Sequence, residues 1–398
     1  MHNKQVVPYP EIAKLITLFG KEQIDLVTLP GLPDWNLVYP SLQLLAQYPN
    51  VEPDNPILAY GSYSGALAAY LARKFTQAQV TISDINFTAL EAAHRTLEIN
   101  HCSSVSILAE IDLPQDQYQK FGSVMIMIPK GRQLGRRWLV QAYHALSNGG
   151  KLFLAGSNNE GIHSLIKDAQ ELFGSGQVLA YKKGHRIAQF IRKTSYEPGP
   201  DWARAPGIAP HTWVEFTITL PKHTFPIRSL PGVFSYDHLD EGTQMLINML
   251  QIQPDTKVLD VGCGYGIIGL FAAVQGAALV HLIDNNLLAV AASRENLALN
   301  HILTADVFAG NILDPIVPNM YDLILTNPPF HTGHTVDYHI AHAMISQSFQ
   351  ALNPGGKIII VSNRFIRYDR LVKEVFGNVT SISESGKFHV LSGLKSSH

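Results

Sequence analysis

The chain has 398 residues, 46% of them hydrophobic and 16% charged, with a net charge of -2 and two cysteines. That length suggests two domains of ordinary size, each able to bury a core, and it excludes a largely disordered protein. The near-neutral charge excludes a generic polyanion binder. The widely separated Cys102 and Cys263 exclude a disulfide framework, and no run of about 18 uninterrupted apolar residues points to a membrane span.

An N-terminus without an apolar signal core and the sparse cysteines together point to a reducing cytoplasm. The first half is slightly basic and the second slightly acidic, so any nucleic-acid contact must come from local patches. Residues 1–50 carry no chemical motif, and Glu11 to Phe19 reads as a short amphipathic helix. The strand Pro56–Tyr60 enters a small-residue turn, Gly61-Ser62-Tyr63-Ser64-Gly65, followed by a helix over 66–74. A strand over 79–84, a helix over 87–100, a strand over 123–128, a helix near 135–147 and a strand over 151–155 follow. Strict alternation of strand and helix is the mark of a parallel, doubly wound α/β sheet.

The same order recurs later. Lys257 to Asp260 enters Gly262-Cys263-Gly264-Tyr265-Gly266, a strand over 279–283 ends at Asp284, and a helix runs over 287–300. Asp84 and Asp284 lie 200 residues apart, as do Asn100 and Asn300. The chain therefore reads as two tandem Rossmann-like domains, 1–197 and 213–398. Pro198 to Pro210 is rich in breakers, and 198–212 reads as a linker. Trp213 to Pro226 alternates as a hairpin leading into the second domain, and Gly232 to Thr243 precedes a short helix.

Two stretches of the second copy carry chemistry. In the glycine loop, Gly262, Gly264 and Gly266 allow close approach of a ligand to the backbone, and the helix behind them presents its N-terminal amides. Asp284 at the end of the second strand suits a grip on ribose hydroxyls. Asp260 puts a negative charge beside the loop, where a pyrophosphate is repelled and a cationic sulfonium with an ammonium group is favoured. The second stretch is Asn327-Pro328-Pro329-Phe330, after the apolar run Tyr321 to Thr326. Two prolines remove two donors and fix two φ angles, so they hold an amide and a ring rigidly at a strand's carboxyl end.

Together these motifs resemble class I S-adenosylmethionine-dependent methyltransferases. The hook implies methylation of a planar exocyclic or amide nitrogen. The Asn327 oxygen and Pro328 carbonyl would accept its hydrogens, and Phe330 would offer a stacking face worth roughly 1–3 kcal/mol. Positioning would supply most of the rate. The first copy lacks these groups. By alignment Ala59 stands for Asp260, Tyr63 for Gly264 and Ile128-Pro129-Lys130-Gly131 for the hook, which leaves Asp84 as the surviving polar contact. Its Lys130, Arg132, Arg136, Arg137, Lys182, Lys183 and Arg186 are candidates for holding RNA, as are Arg364 and Arg367 in the second copy, where Arg364, Arg367, Arg370 and Lys373 have helical spacing.

A degenerate copy fused to an intact one resembles the ribosomal RNA guanine-N2 methyltransferases over nearly the whole chain. The resemblance rests on Pro231 to Thr243, Asp260 to Gly266, Asn327 to His331 and Ile359 to Arg364. Ile128 to Lys130 and Tyr181 to Lys183 look like the large-subunit branch, and His331 to Gly333 like the small-subunit branch, so the guanosine stays open. The resemblance implies that Asp260, Gly262 and Gly264 hold the methionine part and Asp284 the ribose, with Asn285 and Asn311 near the adenine and Cys263, Gly266 and Asn327 also binding the cofactor. It places Phe234, Asp240 and Thr243 in the segment closing over the cofactor, and Asn327, Pro328, Pro329 and Phe330 at the guanine. It implies S-adenosylmethionine as cofactor and ribosomal RNA or a ribosomal subunit as partner, while the internal duplication suggests a monomer resembling an ancestral dimer.

Three other readings compete. The acceptor could be adenine N6 or a release-factor glutamine, or the chain could be a non-catalytic RNA-binding or ribosome-assembly protein. His331, His334, His339 and His342 with Asp337 lack a neighbouring cysteine, and methyl transfer needs no metal, so no metal site is expected.

Overall fold

The computed structural model describes residues 13–29, 32, 38–61, 64–193, 199–313, 317–328 and 338–397. Ile12–Val214 with Leu230–Gly232 forms one compact unit, and the other contains Glu215–Ser229 and Val233–His398. The first unit runs β1 (Ala13–Phe19), β2 (Glu22–Thr28), α1 (Pro40–Gln47), β3 (Ile57–Tyr60), α2 (Ala66–Lys74), β4 (Val80–Ser83), α3 (Phe87–Ile99), β5 (Ser106–Leu108), β6 (Phe121–Met127), α4 (Arg132–Ala145), β7 (Leu146–Ser157), α5 (Ile162–Phe173), β8 (Gly176–Lys182) and β9 (His185–Ile191).

The second repeats it with β10 (Val214–Leu220), β11 (His223–Ser229), α6 (Glu241–Asn248), β12 (Lys257–Val261), α7 (Ile267–Val274), β13 (Leu279–Asp284), α8 (Leu287–Leu299), β14 (Ala305–Ala309), β15 (Tyr321–Thr326), α9 (Tyr338–Ala351), β16 (Leu352–Asn363), α10 (Tyr368–Phe376), β17 (Thr380–Ser385) and β18 (Phe388–Leu394).

Each copy carries a seven-stranded sheet of one topology, β5-β4-β3-β6-β7-β9-β8 and β14-β13-β12-β15-β16-β18-β17. Five strands are parallel, and the last hairpin runs antiparallel. The chain order reverses between β12 and β15. Such a switch point opens a crevice outside the carboxyl ends of the two strands, so the glycine loop and the hook are delivered to one place. Ile324, Ile358, Ile360 and Leu259 are among the buried residues beneath it.

The sequence does not form a helix before Phe19. Ala13–Phe19 is a strand paired antiparallel with Glu22–Thr28. Thr17 and Phe19 are buried at the alternating period of a strand, and Gly20 takes a φ of +68° in the turn. The hairpin has a counterpart in β10–β11, and the repeated asparagines explain the parallel. Asn100 Nδ2 donates to the Asp25 carbonyl at 2.7 Å, and Asn300 Nδ2 to the Pro226 carbonyl at 3.0 Å. Each asparagine ties its hairpin to the C-terminal end of one helix, α3 or α8.

The described part of the expected linker, 199–212, is folded onto the first unit. Ala203 and Ile208 pack with Val140, and Arg137 donates to the Gly207 carbonyl at 2.6 Å. No helix among the described residues is long and apolar enough to cross a membrane.

Candidate active site

Both motifs of the second copy stand at the switch point, with Val261 beside Thr326 in the β12–β15 pairing. The glycine loop is held from beneath by its own chain. Gly262 and Cys263 donate to the Ile283 carbonyl at 2.9 and 3.2 Å, and Gly266 donates to the Cys263 carbonyl at 2.9 Å. Helix α8 clamps the loop from the side: Ser293 Oγ donates to the Gly264 carbonyl and Asn296 Nδ2 to the Tyr265 carbonyl, each at 2.9 Å. Gly266 has a φ of +90°, and a Cβ there would lie 2.9 Å from Ser293 Oγ. Only glycine fits that position.

Asp260 is completely buried. Its Oδ2 accepts from the Gly269 amide at 3.0 Å, while Oδ1 has no partner. Burial pushes its carboxyl up to about 8; the Gly269 amide pulls the other way and Asp284 adds to the rise. An ionised Asp260 therefore lacks a compensating charge. Asp284 is likewise raised by burial, against the pull of the Asn286, Gly264 and Asn285 amides. Its Oδ2 accepts from Gly264 N and Oδ1 from Asn286 N, both at 2.9 Å. Gly310 N donates to the Asp284 carbonyl at 3.1 Å, which sets Asn311 beside Asp284 and Asn285 at the strand ends. A cation is what these carboxylates lack: Asp260 keeps an unpartnered oxygen, and Asp284 accepts from neutral backbone amides. The space in front of the loop is open, since a Cβ on Gly262 would meet nothing within 4 Å. The donor set thus fits S-adenosylmethionine, whose sulfonium and ammonium are both positive.

Cys263 is buried, its thiol lies 3.4 Å from Ser293 Oγ, and burial holds its pKa well above the ordinary value. It is a packing residue. The 233–243 segment meets the loop, with Tyr265 OH donating to the His238 carbonyl at 3.0 Å and Phe234 left exposed.

The described part of the hook is Asn327-Pro328; Pro329, Phe330 and His331 lie outside the described residues, as do His334, Asp337 and the side chain of His339. Asn327 Nδ2 donates to Asp240 Oδ2 at 3.0 Å and to Thr243 Oγ1 at 2.8 Å. Its Oδ1 is buried without a partner. The arrangement thus presents an unfilled acceptor at the same crevice as the unpaired Asp260 oxygen. No group of three or more His, Cys, Asp or Glu suited to a metal occurs among the described residues.

Residues 23–189 and 224–392 each match the methyltransferase small domain. The chain belongs to that family. A ribosomal RNA small subunit methyltransferase C of Psychromonas ingrahamii is 33% identical over 282 residues, covering 70% of this chain and 78% of its relative. Its counterpart in Vibrio vulnificus is 28% identical over 339 residues, covering 84% and 92%. The structure of a T. thermophilus 16S rRNA N2 G1207 methyltransferase in complex with AdoMet and guanosine superposes with a TM-score of 0.79 at 26% identity, covering 97% of this chain and 98% of that one. The family's fold is present twice here, and the copies differ at the switch point.

The first copy closes what the second leaves open. A Cβ on Gly61 would meet the Met127 carbonyl at 2.8 Å and the Trp138 indole at 3.0 Å, and Tyr60 stacks on Trp138 at 5.6 Å. Ala59 replaces the buried carboxylate, and Tyr63 lies outside the described residues. Strand register corrects the alignment of the hook by one residue. Tyr60 pairs with Ile126 as Val261 pairs with Thr326, so Met127, not Ile128, stands where Asn327 does. The surviving proline, Pro129, corresponds to Pro329.

The basic candidates separate in the structure. Arg137 is 1% exposed and bonds to Asp112 Oδ1 at 2.7 Å and to the Ile111 and Gly207 carbonyls, so it is a core residue and not an RNA contact. Arg132 and Arg136 converge on the buried Asp168, and Arg136 also stacks on Trp202 at 4.8 Å. Lys130, Lys182 and Lys183 are exposed. Arg186 lies over the ring of Tyr181 at 4.6 Å, and that ring is 58% exposed. All four lie at the carboxyl end of the first sheet, with Lys182 opposite His185 and Tyr181 opposite Arg186. Arg364 pairs with Glu384 and Arg367 with Asp369; both precede α10, so the expected helical rail reduces to Arg370 and Lys373.

Sequence reasoning did not single out Ser293 and Asn296. Their spacing of three on one helix face was available, and the first copy holds Ala93 and Thr96 at the same places.

Proposed function

We propose that the second unit transfers a methyl group from S-adenosylmethionine to the exocyclic N2 of a guanosine in small-subunit ribosomal RNA, and that the first unit holds the RNA. The reading rests on the buried, unpaired Asn327 Oδ1 at the switch point, just past the β12–β15 pairing that sets Asp260 opposite Leu325. Family membership and the names of the relatives support it.

Asp260 and Asp284 would hold the cofactor's cationic and ribose parts, and Gly262, Gly264 and Gly266 give it access to the backbone. When bound, S-adenosylmethionine supplies an electrophilic methyl on a sulfonium. Asn327 accepts a hydrogen from the amino nitrogen, turning its lone pair out of conjugation and stabilising the positive charge that develops. Pro328 keeps the backbone carbonyl in a fixed relation to that amide. No side chain has to remove a proton first, because the nitrogen becomes acidic only as the new bond forms. Pro329 and Phe330 complete the base site in this reading.

The exposed Lys130, Lys182 and Lys183, with the Tyr181–Arg186 stack, suit a flexible polyanion carrying aromatic bases. The second copy has Glu384 and Ser385 where Tyr181 and Lys182 stand, so the feature is not needed by the fold. We expect a cytoplasmic enzyme acting as a single chain.

The test is to incubate the full chain with methyl-labelled S-adenosylmethionine and either unmodified ribosomal RNA or a release factor. Label in small-subunit RNA as N2-methylguanosine supports the reading. Label in protein points to the glutamine acceptor, label in RNA as N6-methyladenosine to the adenine one, and no label with intact RNA binding to a non-catalytic protein.

A further inference from the structure

We infer that Asp240 and Thr243 are positioning residues that fix which end of the Asn327 amide faces the target, so that the site accepts an amino group and rejects a carbonyl. The inference rests on the guanine-N2 reading above and gives the two residues a role distinct from closing over the cofactor.

An amide can present either a donor or an acceptor, and Asn327 uses its whole donor end on these two residues. Nδ2 meets Asp240 Oδ2 at 3.0 Å and Thr243 Oγ1 at 2.8 Å, which occupies both N–H groups. The opposite choice is blocked at Asp240. Its Oδ2 also accepts the Thr243 backbone N–H at 2.9 Å and caps α6, so that atom is fixed as an acceptor by the helix itself. A reversed Asn327 would set its own oxygen against a carboxylate oxygen and lose the hydrogen bond to Asp240, whereas the Thr243 hydroxyl could donate to either end. That disfavours reversal by about a hundredfold or more.

The held orientation leaves Oδ1 buried and without a donor. An exocyclic amino group supplies that donor, whereas a ring carbonyl would place two acceptors face to face. Guanine offers both kinds of group on the two carbons that flank N1, so the amide's orientation selects N2 over O6.

The first copy supports the coupling of the three residues. Its α1 matches α6, and the positions of Asp240, Thr243 and Asn327 hold Tyr39, Leu42 and Met127. Tyr39 makes no side-chain cap and Leu42 is buried. Where the amide is absent, the residues that orient it are absent too.

The test compares guanosine with inosine, which lacks only the 2-amino group. Affinities for both nucleosides are measured on the full chain saturated with S-adenosylhomocysteine, beside cofactor affinity, thermal melting and single-turnover methylation of ribosomal RNA. The wild type should prefer guanosine by about tenfold or more, the worth of a buried acceptor left unfilled. Asp240→Ala should bring that ratio to within about threefold of one and lower kcat more than it raises KM, with cofactor affinity nearly unchanged. Thr243→Val keeps the backbone cap and should lose part of the preference. Asp240→Asn should retain it, because the Thr243 amide still calls for an oxygen at that place. Unchanged discrimination in Asp240→Ala and Thr243→Val, with native melting, would overturn the inference; so would a loss confined to cofactor affinity. A wild type without guanosine preference would refute the guanine reading itself.

Discussion

Replacing Asp260 by asparagine should change how stability and cofactor affinity respond to pH. Asp260 is fully buried at the end of β12, and burial raises its carboxyl from an ordinary 3.8 to about 8. The native state therefore keeps a proton that the unfolded chain releases, and stability falls as pH rises from about 4 to about 8, then levels. One pKa unit corresponds to about 1.4 kcal/mol, so moving from pH 6 to pH 8 should cost the free protein roughly 2 kcal/mol. For a unit of this size that is roughly 5 °C of melting temperature. Cofactor binding has the opposite sign. A cation beside the site favours the ionised carboxylate, so affinity for S-adenosylmethionine should rise by up to about tenfold per pH unit below 8. Asp260→Asn removes the titration and keeps the shape. Melting curves and titration calorimetry from pH 6 to 9, wild type against variant, isolate the effect from other titrating groups. Parallel loss of stability in both proteins, or equal pH slopes of cofactor affinity, would refute the reasoning.

Arg137→Met should destabilise the first unit by about 3 kcal/mol, because it strands Asp112 and two buried carbonyls, and urea melts should show it while RNA affinity of the folded fraction holds. Lys182→Glu with Lys183→Glu should weaken RNA binding and flatten its salt dependence by up to about two units of log–log slope, leaving guanosine and cofactor affinities at wild-type values. Binding isotherms at several salt concentrations decide it; an unchanged slope would place the RNA elsewhere.

The duplicated fold was largely legible because strand and helix alternate strictly and because Asp84, Asp284, Asn100 and Asn300 repeat at one spacing. The structure gives those residues physical reasons: both aspartates cap the turns after their strands, and both asparagines hold a hairpin. The first hairpin escaped notice because its pairing is completed by tertiary bonds from α3, including Val27 N to Thr96 Oγ1 at 2.9 Å, which local periodicity does not encode. A proline is conspicuous in sequence whereas strand register is not, so sequence alone sets the hook of the first copy one residue off. Arg132, Arg136 and Arg137 read as a charged face by spacing alone. The residues that absorb them, Asp168, Asp112 and Gly207, arrive from distant segments. The Asp240–Asn327 bond joins residues 87 apart and has no local signature.

The central claim is that an amide at the switch point presents a guanine amino group for methylation. Its most direct measurement is nucleoside analysis of unmodified small-subunit RNA after incubation with labelled S-adenosylmethionine, using the wild type and Asn327→Ala, with cofactor affinity measured alongside. The account predicts N2-methylguanosine with the wild type, at least about a hundredfold less with Asn327→Ala, and cofactor affinity within a few fold in both. N2-methylguanosine formed at similar rates by both proteins, or label absent from guanosine, would contradict it.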